Sequence, residues 1–184
     1  MSAAASVLAD IESQATREFL PILGKEKAAY VEWLVREHRP CTAVDVGSLI
    51  GYSVILIARN LKDGCRVTGI ESAADVAQRA QANVALAGLE RRARVVQGDA
   101  TDLFAALQGP IDFVLLDAGR ARYLHLLKRI EPKLASGAIV VANGVIRHAH
   151  ALSGYLAYVR KGGAYRSALH AFGDDGMEVS VYNG

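Results

Sequence analysis

Short apolar runs alternate with longer amphipathic stretches along the chain, and this alternation predicts β-strands separated by α-helices. The runs that indicate strands lie at residues 43–46, 66–70, 94–96, 111–116 and 138–141. The stretches that indicate helices lie at residues 24–38, 51–61, 73–87, 120–130 and 149–160. Two further strand-like runs, 164–171 and 177–182, flank Gly-Asp-Asp-Gly, which is typical of a hairpin turn.

Apolar strands that alternate with helices form a parallel sheet covered on both faces, and right-handed crossovers wind such a sheet in two directions. We therefore predict an α/β fold with a doubly wound, mostly parallel sheet and a C-terminal antiparallel hairpin at its edge. The length of 184 residues fits one domain, 1–184. Within this domain, we expect an N-terminal helical segment over 1–40, followed by the sheet and its covering helices over 41–184.

Composition and charge narrow the classes of function. The formal net charge is only +2, which argues against a large phosphate-binding surface and hence against a nucleic-acid partner. The N-terminus lacks a basic leader region, and no apolar run approaches the ~20 residues of a membrane span. We expect a cytoplasmic protein without a membrane partner. Cys41 and Cys65 are too few for a disulfide framework, so we expect reduced, buried or edge residues at two strand starts.

Glycines or polar residues follow all five predicted parallel strands, at the edge where such sheets bind ligands. The residues at these strand ends are Gly47, Gly51, Glu71, Asp99, Asp117 and Asn143. The glycine loop could hold a carboxylate or phosphate, or could be a turn packed against a helix. Glu71 could accept hydrogen bonds from both hydroxyls of a ribose, or lie solvated at a helix start. Asp99 could accept from an adenine amino group, or cap the helix that begins near Thr101.

Five short motifs at these strand ends match one family. They read D-V-G-S-L-I-G-Y-S at 45–53, G-I-E-S at 69–72, Q-G-D-A at 97–100, D-A-G-R-A-R-Y at 117–123 and A-N-G-V at 142–145. From about Phe19 to Tyr182, the chain resembles class I S-adenosylmethionine-dependent methyltransferases, and among them the catechol and caffeoyl-CoA O-methyltransferases. The first motif is specific for this group.

The resemblance implies S-adenosylmethionine as the cofactor and assigns roles to individual residues. The residues implied to surround its methionine part are Gly47, Ser48, Gly51, Tyr52 and Ser53. By the same resemblance, Glu71 would bind the ribose hydroxyls, Asp99 and Ala100 would face the adenine, and Asp117 would lie beside the sulfonium. A positive sulfonium gives a physical reason for acidic residues around such a pocket.

Two departures from the family pattern change the expected chemistry. Many members bind a divalent cation through the Asp equivalent to Asp117 and an Asp-Asn pair after the fifth strand. Here that pair is Ala142-Asn143, so one carboxylate is missing and we expect weak metal binding or none. Arg120 stands where the family often has a lysine base, and arginine cannot take up a proton. It could instead bind an anionic acceptor through two parallel hydrogen bonds.

His148 follows the fifth strand by a few residues and therefore belongs to the ligand edge of the sheet. Its imidazole could act as a general base or contact the acceptor, or it could be an ordinary surface residue. The predicted catalytic residues are therefore Asp117, Arg120 and His148.

We predict transfer of a methyl group to a hydroxyl of a small, phenolic or anionic molecule, without a divalent metal. The acceptor region is short compared with that of the family, so a homodimer is one way to complete the pocket. Two alternatives remain open. One is a non-catalytic module that binds S-adenosylmethionine or its product, and the other is a nicotinamide-dependent oxidoreductase.

Overall fold

A computed structural model describes residues 2–184, which form one sheet covered by helices on both faces. The helices are α1 (Ala3–Glu18), α2 (Lys25–His38), α3 (Tyr52–Asn60), α4 (Ala74–Leu86), α5 (Ala100–Ala106), α6 (Tyr123–Ile130) and α7 (Ser153–Lys161). The strands are β1 (Thr42–Val46), β2 (Arg66–Glu71), β3 (Ala93–Gln97), β4 (Ile111–Leu116), β5 (Leu134–Asn143), β6 (Tyr165–Phe172) and β7 (Asp175–Tyr182). Single 3-10 turns, Arg120–Arg122 and Glu131–Lys133, flank α6.

The seven strands pair in the order β3-β2-β1-β4-β5-β7-β6. The first five are parallel, while β7 runs antiparallel to both β5 and β6. This arrangement confirms the predicted doubly wound sheet with its terminal hairpin. The chain winds outward from β1 to β3 and then returns to β4 on the other side of β1. A crevice therefore opens at the carboxyl ends of β1 and β4, where the winding reverses.

Side chains on β4 alternate between the two faces of the sheet, as the strand period requires. Phe113 and Leu115 join the core that α1, α2 and α3 cover. Val114 and Leu116 join the core under α5, α6 and α7. All four side chains are fully buried, so the central strands and their carboxyl ends are held between two packed layers.

Two predicted boundaries differ in the structure because loops carry apolar residues that the pattern could not assign. Strand β5 is longer than the predicted 138–141, since it begins at Leu134. Helix α7 begins at Ser153 rather than at 149, because residues 145–152 form turns. Within residues 2–184, no helix is both long and apolar enough to cross a membrane.

The expectation of two reduced cysteines is wrong. Cys41 and Cys65 form a disulfide, with their Cα atoms 4.2 Å apart. The physical reason is the parallel register of β1 and β2, which pairs Thr42 with Arg66 and so places the two preceding residues side by side. The pairing removes the cysteine-based argument for a reducing environment.

Candidate functional site

Two clefts lie at the carboxyl ends of the strands. We call the first the inner cleft; its lining includes Gly47, Glu71, Ser72, Gly98, Asp99, Ala100, Gly119 and Arg122. It brings together Gly47, Glu71, Asp99 and Ala100, four of the residues that the sequence nominates for the cofactor. The loops after β1, β2, β3 and β4 each contribute to it, as expected where a doubly wound sheet reverses.

Gly47 allows the loops after β1 and β4 to approach each other. Its φ is +94°, a conformation that side chains other than glycine rarely adopt. A Cβ built at this position would lie 2.4 Å from the Cβ of Ala118 and 3.0 Å from the carbonyl carbon of Asp117. The backbone of the glycine loop therefore reaches the cleft only because this residue has no side chain.

The two serines of the first motif surround a buried carboxyl group beneath the loop. Ser53 donates a 2.6 Å hydrogen bond to one carboxyl oxygen of Asp45, and the Ser48 hydroxyl donates to the Asp45 carbonyl oxygen at 3.3 Å. Gly51 is the N-cap residue immediately before α3, and a Cβ there would lie 3.0 Å from the carbonyl oxygen of Ala80 on α4.

Tyr52 lies outside the inner cleft. Its hydroxyl donates a 2.6 Å hydrogen bond to Glu12 on α1. This contact depends on how α1 packs against α3, which the motif alone does not show. Tyr52 therefore anchors the N-terminal helix to the glycine loop.

Glu71, the last residue of β2, lines the inner cleft. Its carboxylate accepts hydrogen bonds of 3.1 Å from the backbone N–H groups of Leu49 and Ala73. These bonds tie the end of β2 to the glycine loop and to the start of α4. The carboxylate is only partly buried, so it retains capacity to accept from a ligand in the cleft.

Asp99 caps α5, which is the structural alternative stated above. Its carboxylate accepts from the N–H of Thr101 at 2.8 Å and forms a two-fold pair with Arg122, at 2.8 and 2.9 Å. The hydrogen bonds from Arg122, and then that from Thr101, hold the pKa of Asp99 well below its usual range. Ala100 is buried directly behind it at the start of the helix.

Asp45 is a site residue that the sequence reasoning missed. Its side chain is completely buried, and its Oδ1 atom has no hydrogen-bond partner among the described residues. Burial, together with the negative charges of Asp117 and Glu71, raises its pKa to about 7, while the hydrogen bond from Ser53 opposes this rise. The available signal was a single acid inside the apolar strand β1.

Asp117, Asn143 and Lys27 form a chain of contacts beside the inner cleft. Asn143 donates to Asp117 Oδ1 at 2.8 Å, and Lys27 Nζ donates to Asn143 Oδ1 at 2.8 Å. Lys27 also donates to Asp175 Oδ2 at 2.6 Å. Burial raises the pKa of Asp117 to about 6, while the hydrogen bond from Asn143 and the charges of Arg120 and Lys27 oppose this rise. Lys27 falls within the predicted helix 24–38, where the sequence pattern gives no sign of a role in the site.

Arg120 and His148 are neighbours at the same edge of the sheet. A Cβ built on Gly144, whose φ is +81°, would lie 2.8 Å from Arg120 Nε and 3.2 Å from His148 Cδ2. Arg120 Nη2 lies 3.8 Å from Asp117 Oδ1. The Nε atom of Arg120 is buried without a hydrogen-bond partner among the described residues. His148 is exposed to solvent.

The second cleft, which we call the outer cleft, opens next to this group. Its charged and polar lining comprises Lys25, Glu26, Lys27, Arg120, Asn143, Arg147, Asp174 and Asp175. Arg147 is paired with Asp174 and Lys27 with Asp175. Arg120 Nε has no hydrogen-bond partner among residues 2–184, so the guanidinium could donate to an anionic group bound in this outer cleft.

The sheet order and the paired clefts at its carboxyl edge define a class I methyltransferase fold. A family model described as a methyltransferase domain matches residues 44–145, which is more than half of the chain. Catechol O-methyltransferase from Sus scrofa is 32% identical over 175 residues, covering 88% of this chain and 93% of that protein. Catechol O-methyltransferase B from Danio rerio is 30% identical, covering 91% of this chain and 68% of its own length. The chain belongs to the S-adenosylmethionine-dependent O-methyltransferases of the catechol and caffeoyl-CoA type.

Solved structures agree on the fold. The O-methyltransferase from Bacillus cereus, in complex with S-adenosylhomocysteine, superposes with a TM-score of 0.89 at 20% identity, over 97% of this chain and 91% of that one. The O-methyltransferase TomG from Streptomyces achromogenes, in complex with S-adenosylmethionine, superposes with a TM-score of 0.85 at 22% identity. This superposition covers all of the present chain and 91% of the TomG chain. Membership of this enzyme family decides against the nicotinamide-dependent oxidoreductase and the non-catalytic module.

Proposed function

We propose that this enzyme methylates a hydroxyl of a small, anionic phenol and does so without a divalent metal. The observation that carries the proposal is the contact between Lys27 and Asn143 at the border of the two clefts. The ammonium uses the amide oxygen that a metal would need, at 2.8 Å. Catechol O-methyltransferases among the relatives support a phenolic acceptor. Arg120, whose Nε has no hydrogen-bond partner among residues 2–184, supports an acceptor that also carries a negative charge.

The inner cleft is the proposed cofactor site. Complexes of the fold relatives with S-adenosylhomocysteine and S-adenosylmethionine support this assignment. Glu71 would accept from the ribose hydroxyls, and the cleft wall at Asp99 and Ala100 would face the adenine. Gly47 would bring the backbone of the loop against the methionine part.

The floor beneath that loop would complete the methionine subsite. Ser48 and Ser53 hold Asp45 in place, and the free Oδ1 of Asp45 is a suitable acceptor for an ammonium group. Gly51 and Tyr52 would support the loop from behind rather than contact the ligand.

The residues at the expected metal position do not fit a divalent cation. Ala142 is fully buried and offers no side-chain oxygen. Asn143 directs its oxygen to Lys27 and its amide nitrogen to Asp117. Among residues 2–184, no cluster of three or more His, Cys, Asp or Glu side chains could hold a metal ion. Hard cations need several oxygen ligands. This position supplies the Asp117 carboxylate next to Arg120 and Lys27, and the nearby Asp175 is already paired with Lys27.

Methyl transfer is an in-line displacement, so the protein must mainly align three atoms. A new bond forms between the acceptor oxygen and the methyl carbon. At the same time the carbon–sulfur bond breaks, and its electron pair moves to sulfur. Asp117 would lie beside the sulfonium, and Arg120 would hold the anionic group of the acceptor. His148, which lies beside Arg120, would accept the hydroxyl proton or contact the acceptor.

Calorimetric titration with S-adenosylhomocysteine in excess EDTA tests the cofactor assignment first. We expect micromolar binding, equivalent to about −8 kcal/mol. Methyl transfer to 3,4-dihydroxybenzoate, an anionic catechol, then tests the acceptor class, with equal rates expected in EDTA and in Mg²⁺. Binding or turnover that appears only with Mg²⁺ would contradict metal independence. Faster turnover of an uncharged catechol would contradict the anionic acceptor.

A further inference from the structure

The ammonium of Lys27 lies in a built site between three elements of the fold. It reaches from the first turn of α2 to Asn143 at the end of β5 and to Asp175 at the start of β7, at 2.8 and 2.6 Å. The side chains of Lys27 and Asp175 are 13% and 10% exposed. A pair so removed from water is held in one position, unlike a flexible surface ion pair.

The partners of Lys27 are themselves fixed. Asp175 accepts a second hydrogen bond, from the backbone N–H of Arg147 at 3.1 Å. Asn143 is held by its bond to Asp117 at 2.8 Å. Of the three N–H donors of the ammonium, two are used by Asn143 and Asp175, which leaves one for a ligand in the outer cleft.

Charge counting around this position gives the ammonium a clear role. Asp117 and Asp175 are two carboxylates at the border of the clefts, and Asn143 connects one of them to Lys27. A divalent cation bound by Asp117 and Asn143 would be separated from the Lys27 ammonium by only the amide oxygen of Asn143. The two positive charges would repel each other. The site thus already contains a cation, supplied by the chain itself.

We propose that Lys27 is a catalytic residue that takes the place of a metal ion and binds the reacting oxygen of the acceptor as an oxyanion. This inference rests on the proposed function and adds the group that activates the acceptor. A fixed positive charge favours the ionised form of a neighbouring hydroxyl. The hydroxyl proton passes to the exposed imidazole of His148 or to solvent before transfer, and the ammonium keeps all its protons. The oxygen then forms the bond to the methyl carbon as the carbon–sulfur bond breaks, which leaves a neutral thioether.

A metal-binding experiment tests this role without requiring turnover. Ala142→Asp restores the missing carboxylate, but we expect it to bind Mn²⁺ weakly because Lys27 still occupies the position. Ala142→Asp combined with Lys27→Met should bind Mn²⁺ at least roughly tenfold more tightly by calorimetry. The control is Ala142→Asp with Lys25→Met, which removes the same charge two residues away. Lys25 is exposed and touches neither partner, so this variant should resemble Ala142→Asp alone.

A spectroscopic experiment tests the effect on the acceptor. The probe is 3,4-dihydroxybenzoate bound to the S-adenosylhomocysteine complex in EDTA near neutral pH, because an ionised catechol absorbs at longer wavelength than a neutral one. We expect the ionised spectrum with wild type and Lys27→Arg, and the neutral spectrum with Lys27→Met. The dissociation constant should rise roughly 10- to 100-fold in Lys27→Met, as expected for loss of a charged hydrogen bond.

The outcomes separate the two proposals. Unchanged affinity of each variant for S-adenosylhomocysteine shows that its inner cleft is intact. Equal Mn²⁺ binding by Ala142→Asp with and without Lys27→Met would overturn the role of Lys27, as would an ionised spectrum in Lys27→Met. Failure of the wild type to bind the probe would count against the anionic phenol as acceptor, and the Mn²⁺ titrations would still decide whether Lys27 occupies the cation position.

Discussion

Ser53 donates a 2.6 Å hydrogen bond to the fully buried carboxyl group of Asp45, directly beneath the glycine loop. This is the one bond to the Asp45 carboxyl oxygens from a side chain, and it leaves Oδ1 without a partner in residues 2–184. A buried carboxyl group with one free oxygen costs stability in the absence of a ligand. In the proposed cofactor site, the bound ligand would supply the missing donor and offset this cost.

Replacing Asp45 by Asn should change how stability depends on pH. Burial raises the pKa of Asp45 from 3.8 to about 7 in the folded protein, so the folded state binds the proton more tightly than the unfolded chain. The free energy of unfolding should therefore fall as pH rises between these values and level off above them. Asp45→Asn removes the charge and keeps an acceptor for Ser53. Without cofactor and above neutral pH, we expect the free energy of unfolding of Asp45→Asn to exceed that of wild type by about 2–4 kcal/mol.

Urea unfolding from about pH 4 to about pH 8 checks this prediction. The control is Asp102→Asn, since Asp102 is exposed on α5. Asp117 is present in all three proteins, so its own raised pKa contributes to each profile. Parallel profiles for wild type and Asp45→Asn would show that Asp45 does not titrate as described.

Glu71→Ala should weaken binding of S-adenosylhomocysteine. If the ribose hydroxyls donate to this carboxylate, its loss should cost about 1.5–3 kcal/mol, or roughly 10- to 100-fold in affinity. Calorimetry on both proteins measures the difference. Glu90→Ala is the matched control, because Glu90 is an exposed acid at the opposite end of the sheet. Equal affinities of wild type and Glu71→Ala would refute the ribose assignment.

The strand ends of the site were predictable from the sequence, but the contacts across the site were not. Apolar runs such as 111–116 identify the parallel strands, and every parallel strand brings its last residue to the same edge. That logic places Glu71, Asp99 and Asp117 correctly at the edge. It cannot tell that Asp99 is already occupied by Arg122, because their pairing depends on how the 3-10 turn before α6 lies.

Long-range packing accounts for the rest of what the sequence reasoning missed. Lys27 and Asp175 are 148 positions apart. They meet because β7 pairs antiparallel to β5 and because α2 packs on the same face of these strands. The orientation of the Tyr52 side chain likewise depends on long-range packing, because its hydroxyl donates to Glu12 on α1. The pairing of Cys41 with Cys65 follows from the register of β1 and β2, which could have been inferred once both were assigned as neighbours.

Reducing the disulfide should lower the free energy of unfolding by about 3 kcal/mol, because the bond closes a loop between residues 24 positions apart. Urea unfolding with and without a strong reductant measures the difference. The Cys41→Ser and Cys65→Ser double variant is the control and should not respond to reductant. Equal stability with and without reductant, together with two titratable thiols in the untreated protein, would show that the bond does not form.

Gly47→Ala should disrupt the glycine loop through two separable effects. One is the positive φ, which an alanine adopts at a cost of roughly 1–2 kcal/mol. The other is the collision of the new Cβ with Ala118, 2.4 Å away, which would push the loops after β1 and β4 apart. Gly64→Ala isolates the first effect, because Gly64 has a φ of +85° and no atom within 4 Å of the added carbon.

We expect Gly64→Ala to lose roughly 1–2 kcal/mol of stability and to keep its affinity for S-adenosylhomocysteine. Gly47→Ala should lose more stability than this and should bind S-adenosylhomocysteine at least roughly tenfold more weakly, since the loop backbone can no longer reach the inner cleft. Urea unfolding and calorimetry on the same preparations separate the two quantities. If Gly47→Ala lost stability but bound with wild-type affinity, the close approach of these two loops would serve only the fold, and the methionine part of the cofactor would have to lie elsewhere.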